Sequence, residues 1–215
     1  PGVGTIDFGS PSAVSPAPGT SSQTVTAVSH IIREGPLRKH NRDGVVTYHF
    51  ILFDTCLVYC RPPPLSLGTG KVEVHRIMPL NALLCFPGLG AGAANEIPSA
   101  AAAHADCILR ILTRQKSFLI EAVNLAERQE WQQDLSEAIP RYNHALVSSS
   151  TSSASSPTAA SARSPATSTG LQESDCAPIW TADADAKACQ ICGDAFTLLY
   201  RRRHCRACGK CVCGN

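Results

Sequence analysis

Between residues 31 and 123, several short apolar segments predict strands, and in some of them apolar side chains recur at every second position, which is the period of a half-buried strand. The clearest example is Val46, Tyr48, Phe50 and Leu52, which predicts one apolar strand face. Residues 41–44 end in Asp-Gly, a dipeptide that favours the positive φ of a hairpin turn. Further strands are predicted at 56–60, 71–76, 107–112 and 118–123, and the Gly/Ala-rich stretch 88–105 is expected to be an inserted loop.

After residue 123 the apolar spacing lengthens to three and four residues, which is typical of an amphipathic helix. Asn124 and Glu127 come close to a capping box and predict where the helix begins. Pro140 lies inside the pattern and is expected to kink or divide the helix. This order of elements predicts an α+β fold in which antiparallel strands are closed by one C-terminal helix. The apolar stripe of the helix comprises Trp131, Leu135, Ala138, Ile139, Tyr142 and Leu146.

The segments that flank this region have the composition of linkers. Residues 1–29 are rich in Pro, Ser, Gly and Thr, and residues 148–170 consist mainly of Ser, Thr and Ala. Such sequences bury too little apolar surface to offset chain entropy, so we predict disorder in both. The chain has a net charge of only +2, which favours no class of partner, and it has no apolar run long enough to span a bilayer.

Six of the eleven cysteines lie between residues 189 and 213, and their spacing indicates a metal site. The pairs Cys189/Cys192 and Cys205/Cys208 are each followed by a glycine, and Cys213 comes next after a short interval. Two thiolates on one tight turn can both reach a zinc ion at about 2.3 Å. No secretory signal is visible, so zinc binding in a reducing compartment is favoured over disulfides. Buried free thiols are the alternative.

Residues 30–146 resemble a pleckstrin-homology (PH) domain. The resemblance lies in Glu34-Gly35-Pro36-Leu37, in Phe50-Ile51-Leu52-Phe53 followed by Leu57-Val58-Tyr59, and in Trp131 of the predicted helix. It implies a bent barrel of seven strands that the helix tryptophan plugs at one end.

A PH domain that binds phosphoinositides carries basic residues at the end of strand one and in strand two. Only the first group is present here, as Arg38, Lys39, His40 and Arg42. We therefore expect the barrel to be a scaffold or a protein-docking unit, with specific lipid binding as the alternative.

Residues 177–215 resemble the FYVE zinc finger, a small treble-clef module. Its motifs appear as Trp180-x-x-Asp183, Arg201-Arg202-Arg203-His204-Cys205-Arg206 and Ala207-Cys208-Gly209. One departure is Arg203, which stands where the family has the first of two adjacent histidines. The resemblance implies two zinc ions.

In the family scheme Cys189, Cys192 and Cys213 share one of these zinc ions. Cys205 and Cys208 begin the second site, and Cys211 falls at a position that binds no metal. The next ligand is expected directly after Asn215, so the module is expected to be truncated and neither site fully liganded in this chain.

The resemblance further implies that the finger binds phosphatidylinositol 3-phosphate on a membrane. Arginine forks match phosphate oxygens in two hydrogen bonds, and a carboxylate such as that of Asp183 can accept hydrogen bonds from inositol hydroxyls. Leu198 and Leu199, just before the basic run, are expected to insert into the bilayer interface. The residues implied in headgroup binding are Trp180, Asp183, Arg201, Arg202, Arg203, His204 and Arg206.

The order of the units resembles the C-terminal part of the faciogenital-dysplasia family of Rho-family guanine nucleotide exchange factors. We predict a linker at 1–29, a PH-like domain at 30–146, a linker at 147–176 and a finger at 177–215. No catalytic constellation stands out, so this chain is expected not to be an enzyme; exchange on a Rho-family GTPase would belong to a longer parent.

The resemblance implies a cytoplasmic protein, peripheral on endosomal membranes, and leaves cytoskeletal association open. A RING-like protein-interaction finger beside a scaffolding PH domain is the alternative, disfavoured because the histidine precedes Cys205. Nucleic-acid binding by the arginine run is not expected, since few aromatic residues are available for stacking.

Overall fold

The computed structural model describes residues 4–7, 29–61, 71–88, 102–151 and 170–214. A curved antiparallel sheet and one long helix make up the first part, and a small hairpin lies in the cysteine-rich part. The strands are β1 Gly4–Asp7, β2 Ile31–Asn41, β3 Gly44–Phe53, β4 Cys56–Cys60, β5 Lys71–Pro79, β6 Leu83–Pro87, β7 Ile108–Thr113 and β8 Phe118–Glu121, then β9 Arg202–His204 and β10 Cys211–Cys213, with the helix α1 at Leu125–Thr151.

Strand β2 holds the two halves of the sheet together. The strand order is β1-β5-β4-β3-β2-β8-β7-β6, and every pairing between neighbours is antiparallel. β2 pairs with β3 along its whole length but meets β8 only at Arg38↔Glu121 and Lys39↔Ile120. Strands β2 to β8 therefore form the bent, seven-stranded PH-like barrel that the sequence predicts, as one continuous antiparallel sheet, and β1 is added beside β5 at its edge.

The helix plugs the barrel through Trp131, which is 1% exposed. A Cβ on Gly35 would lie 3.9 Å from the Trp131 ring, so the absent side chain on β2 leaves room for the indole. The predicted start of the helix is confirmed, since the Glu127 N–H donates to Asn124 Oδ1 at 2.8 Å and the Val123 N–H donates to Glu127 Oε2 at 2.7 Å. α1 runs through Pro140 as one helix and is not divided there.

The structure departs from the sequence predictions in three places. Residues 4–7 form β1, within a stretch predicted to be a linker, and α1 continues to Thr151 rather than ending at 146. Strand β6 has no predicted counterpart, because its apolar run is too short for its period to be recognised. Val46 is 46% exposed, so the apolar face of β3 is buried only near its C-terminal end.

Most of the two predicted linkers and of the loop 88–105 lies outside the described residues. In the second linker, residues 170–176 are an exception, and Glu173–Asp175 form a 3-10 turn there. This turn contacts the barrel, since Arg110 Nη1 lies 2.7 Å from Glu173 Oε1. The end of the predicted linker is therefore held against β7.

Consecutive residues of β2 place basic side chains on both faces of the sheet, but a carboxylate pairs with them on only one face. Glu121, which is 3% exposed, accepts from Arg38 at 2.6 Å and pairs with His40 Nε2 at 2.9 Å. Lys39 points into the barrel, where its ammonium lies 4.6 Å from the Phe118 ring and 5.7 Å from the Tyr59 ring. Its hydrogen-bond partner is Asn41, which is neutral.

Burial, together with the nearby charges of Lys116 and Arg76, lowers the pKa of Lys39 to about 7. An unfolded lysine titrates near 10.5, so the unfolded chain binds more protons than the folded chain between these two pH values. The contribution of Lys39 to the free energy of unfolding therefore decreases as the pH falls from 10.5 towards 7.

We expect Lys39→Met to raise the free energy of unfolding by about 1–3 kcal/mol at pH 7, because it removes a buried amine that must otherwise be desolvated. The gain should shrink at pH 9.5. Urea denaturation at both pH values measures this. The matched variant Arg38→Met should have the opposite sign, since it deprives buried Glu121 of a partner. A Lys39→Met protein less stable than the wild type at pH 7 would refute the argument.

Candidate metal and anion site

Three thiols from two separate parts of the chain meet in the finger. The Sγ atoms of Cys189, Cys192 and Cys213 lie within 4.8 Å of one another, and those of Cys192 and Cys213 are 3.7 Å apart. Gly193 has a φ of 79° and donates its N–H to the Cys189 carbonyl at 2.9 Å, which closes the turn that carries the first pair. The glycine after the cysteines is therefore needed for a left-handed turn.

The second cysteine pair lies on a turn of the same construction. Gly209 has a φ of 76°, and its N–H donates to the Cys205 carbonyl at 2.8 Å. Among the described residues, Cys205 and Cys208 belong to no group of three metal-ligating side chains. The structure thus brings together three of the five predicted ligands and leaves the other two as a separate pair.

Backbone amides prepare the first site for a cation. Hydrogen bonds from the N–H groups of Cys192, Cys213 and Ile191 lower the pKa of Cys189 to about 6. The N–H groups of Ala207 and Cys208 likewise lower the pKa of Cys205. Three sulfur donors that are held close together, one of them with a lowered pKa, suit a tetrahedral zinc ion, so the residues present fit this metal.

Cys211 differs from these thiols. It is 0% exposed, and burial raises the pKa of its thiol. It lies in a different group with Asp183 and His204. Cys211 therefore lies apart from the group of Cys189, Cys192 and Cys213, and its assignment as a residue that binds no zinc stays a prediction.

His204, which belongs to the basic run, contacts the Trp180-x-x-Asp183 motif. Its ring stacks on Trp180 with centroids 4.8 Å apart and planes at 5°. Its Nε2 donates to the Thr181 carbonyl at 2.8 Å and lies 3.6 Å from Asp183 Oδ1. That carboxylate oxygen is buried and has no hydrogen-bond partner among the described residues. An acceptor is therefore available beside the histidine.

The side chains of the four arginines in the basic run contact different parts of the protein. Arg202 donates to the Ala186 carbonyl at 3.0 Å and lies 4.9 Å from the Phe196 ring, while Arg201 donates to the Leu198 carbonyl at 3.1 Å. Arg203 lies against Gly214, and Arg206 lines a cavity next to the barrel. Strand β9 explains part of this separation, because neighbouring residues of a strand face opposite sides.

Leu198 and Leu199 are each 87% exposed and lie just before β9. Exposed leucines side by side at the tip of a loop are costly in water unless another surface covers them. Their predicted insertion into a membrane interface stays a prediction.

The finger is docked on the barrel, a feature that the sequence did not reveal. The Ala177 N–H donates to the Thr113 carbonyl at 2.9 Å, and the Asp183 N–H donates to the Arg42 carbonyl at 2.8 Å. Ile179 packs against Ile108 and Leu119 on the outer face of the sheet. The turns 41–44 and 113–117 of the barrel therefore lie beside the Trp180 motif.

The chain is similar to known proteins that are named for FYVE and pleckstrin homology domains. Residues 179–215 match the family model of the FYVE zinc finger. The chain is 30% identical over 182 residues to human FYVE, RhoGEF and PH domain-containing protein 6, a match that covers 85% of this chain and 11% of that protein. It is 28% identical over 199 residues to mouse pleckstrin homology domain-containing family F member 1, which covers 92% of this chain and 58% of that protein.

Among solved structures, the C-terminal PH domain of human pleckstrin aligns with 57% of this chain and 99% of its own length, with a TM-score of 0.39 and 17% identity. Of the two full-length relatives above, the chain spans about a tenth of the length of the human protein and about three fifths of the length of the mouse protein.

We expect Cys189→Ala, Cys192→Ala and Cys213→Ala each to abolish binding of the zinc ion held by these three thiols, because each removes one of few ligands. Cys211→Ala is the matched control and should retain that zinc, although it loses some packing. Zinc per chain, released from purified protein and measured with a colorimetric chelator, checks this. Equal zinc loss in all four variants would contradict the ligand assignment.

We expect Gly209→Ala to destabilise the protein more than Gly193→Ala. Both glycines have positive φ, where alanine costs about 1 kcal/mol. Only at Gly209 would the new Cβ collide with backbone, at 2.4 Å from the Ile179 carbonyl oxygen, whereas Gly193 faces open space. Thermal unfolding of the zinc-loaded variants measures the difference, and equal losses would show that the Ile179 contact is unimportant.

Proposed function

We propose that this chain, which combines a PH-like barrel with a FYVE zinc finger and is similar to FYVE, RhoGEF and PH domain-containing proteins, binds phosphatidylinositol 3-phosphate in a zinc-dependent manner. It thereby acts as a peripheral membrane-targeting module on endosomes. The observation that carries the proposal is the contact between the two motifs, in which His204 stacks on Trp180 and lies 3.6 Å from Asp183.

The chemistry of these groups supports an inositol phosphate headgroup. Asp183 Oδ1 accepts no hydrogen bond within the described residues, and we propose that it accepts one from a ring hydroxyl. The guanidinium groups of Arg201, Arg203 and Arg206 are exposed on and near β9, where they can donate to phosphate oxygens. Arg202 is tied to Ala186 and Phe196, so we assign it to holding β9 in place as well as to attracting anions.

The membrane itself would supply the remaining stabilisation. Burying a leucine side chain contributes about 1.5–3 kcal/mol, and an arginine near an anionic leaflet adds about 1 kcal/mol. Leu198 and Leu199 provide the first contribution and the basic run the second. In the described residues, no helix has the length and apolar character needed to cross a bilayer.

Zinc would act through structure in this proposal. The finger has two strands of three residues and a small core, so metal ligation supplies much of the order that places β9 beside Trp180. We propose two zinc sites, one on Cys189, Cys192 and Cys213 and one begun by Cys205 and Cys208, with further ligands from outside the described residues.

The names of the relatives extend the proposal to a longer protein. Human FYVE, RhoGEF and PH domain-containing protein 6 is named as a RhoGEF, and we propose that a longer parent of this chain carries exchange activity on a Rho-family GTPase in a part other than residues 1–215. We likewise propose the units 30–146 and 177–215 with linkers at 1–29 and 147–176. A RING-like interaction finger is less well supported, because His204 contacts Trp180 and Thr181 rather than a cysteine pair.

The test is flotation of the zinc-loaded protein, at its full natural length, with phosphatidylcholine vesicles that contain phosphatidylinositol 3-phosphate. We expect Arg201→Ala/Arg202→Ala to reduce the floated fraction at least about tenfold, because two cations near the phosphate are lost. Leu198→Ser/Leu199→Ser should weaken flotation without changing affinity for the soluble headgroup.

The matched control is Arg141→Ala/Lys187→Ala, which removes two exposed cations from α1 and from the segment before Cys189. It should float like the wild type. Removal of zinc with a chelator should abolish flotation. Equal flotation of the Arg201→Ala/Arg202→Ala protein and the control would refute the proposal.

A further inference from the structure

A cavity of about 650 Å³ lies between the barrel and the finger. We call it the interdomain cavity. Its lining includes four basic residues and comes from three parts of the chain: the barrel, the connection at 175–178 and the finger. The residues that matter for its chemistry are Arg76, Arg114, Lys116, Asp175, Trp180 and Arg206.

The docking contacts determine which residues meet here. The hydrogen bond from the Ala177 N–H to the Thr113 carbonyl holds the connection beside the turn that carries Arg114 and Lys116. The hydrogen bond from the Asp183 N–H to the Arg42 carbonyl holds the start of the finger at the neighbouring turn. Arg206 of the finger thereby comes to the same cavity as the cations of the barrel.

The positive charge of the cavity is poorly neutralised by the protein. Arg76 donates at 2.8 Å to Gln115, a neutral acceptor. Asp175 is the acidic residue of the lining, and its Oδ2 lies 3.8 Å from Arg114 Nη2, which is too far for a hydrogen bond. Four cations therefore share one lining carboxylate, and its Oδ2 already accepts from the Gln172 N–H at 3.2 Å.

Two lysines next to these arginines are affected by the unneutralised charge. Burial lowers the pKa of Lys116, and the charges of Arg76 and Arg42 lower it further, opposed only by Asp43. Lys39 is 2% exposed and lies beneath this region, where no carboxylate among the described residues pairs with it. A dianion in the cavity would relieve the repulsion among these groups.

We propose that the interdomain cavity binds a phosphomonoester of an inositol phosphate, shared between Arg206 of the finger and Arg76, Arg114 and Lys116 of the barrel. The volume lies in the range of about 300–1,000 Å³ that is typical of small-molecule sites. Arginine forks from two sides suit a phosphate with three free oxygens. Trp180 adds an aromatic wall, as expected for a ring with apolar faces.

This inference deepens the proposed function and rests on it in one respect, because Arg206 also belongs to the basic run of the finger. It makes the barrel part of headgroup recognition, through the turn 113–117 and β5. The ligand chemistry is a polyphosphorylated inositol, and its source is either a lipid headgroup or a soluble inositol phosphate.

The experiment compares the wild type with Arg76→Ala/Arg114→Ala, which removes barrel cations only. The control is Arg141→Ala/Lys187→Ala, which removes the same number of charges away from the cavity. Isothermal titration of the zinc-loaded, full-length protein uses inositol 1,3,4,5-tetrakisphosphate, inositol 1,3-bisphosphate and inorganic phosphate. Zinc content and thermal unfolding verify that each variant is folded.

We expect Arg76→Ala/Arg114→Ala to weaken binding of the tetrakisphosphate at least about tenfold, with the control unchanged. If flotation with vesicles containing phosphatidylinositol 3-phosphate falls as well, the source is the lipid headgroup. If only the soluble ligand is affected, the source is a soluble inositol phosphate.

The inference is overturned if the wild type does not bind the tetrakisphosphate, or if Arg76→Ala/Arg114→Ala and the control bind it equally. The flotation of Arg201→Ala/Arg202→Ala separates this result from the proposed function. If Arg201→Ala/Arg202→Ala loses flotation while Arg76→Ala/Arg114→Ala binds the tetrakisphosphate like the control, the proposed finger site is supported and the cavity proposal is refuted. If Arg201→Ala/Arg202→Ala floats normally while Arg76→Ala/Arg114→Ala binds the tetrakisphosphate more weakly, the cavity proposal is supported and the finger site is refuted.

Discussion

The arrangement of the C-terminal part depends on bringing three sulfur atoms together across 21 to 24 residues of sequence. The finger buries little apolar surface, since its described buried residues include small ones such as Ala182 and Ala186. A metal ion that joins the Cys189 turn to Cys213 therefore replaces the core that a larger domain would have. Because β10 pairs with β9, the same constraint fixes the side of the finger on which His204 meets Trp180.

The barrel contributes more than a platform for this finger. Its Glu121 pairs with Arg38 and accepts a hydrogen bond from His40, so the charge of Arg38 on that face of β2 has a buried partner. The positive charge around Lys39 and Lys116 is not satisfied in the same way, and it lies beside the docked finger. A folded protein that keeps such charges close together gives up some stability, and a bound anion is the natural compensation.

The sequence predicted those features that are set by neighbouring residues. Asn124 and Glu127 form the helix cap, and Gly44, at the end of the Asp-Gly hairpin, has a φ of 137°. Features that depend on distant packing were missed or misjudged. Strand β6 is stable because it pairs with β7, and Val46 remains exposed because the buried part of the sheet does not extend to it. Pro140 stays within one helix, although local stereochemistry favours a break.

The sequence by itself determined the α+β barrel, the two Cys-x2-Cys-Gly turns and the identity of the basic run, because each of these follows from the chemistry of residues close together in the chain. Only the tertiary structure decided which thiols meet, how the arginines are distributed, and that the finger rests on the turns 41–44 and 113–117. These outcomes depend on contacts such as Ala177 with Thr113 and Ile179 with Leu119. Backbone hydrogen bonds and apolar contacts of this kind leave no motif in the sequence, since many different side chains could make them.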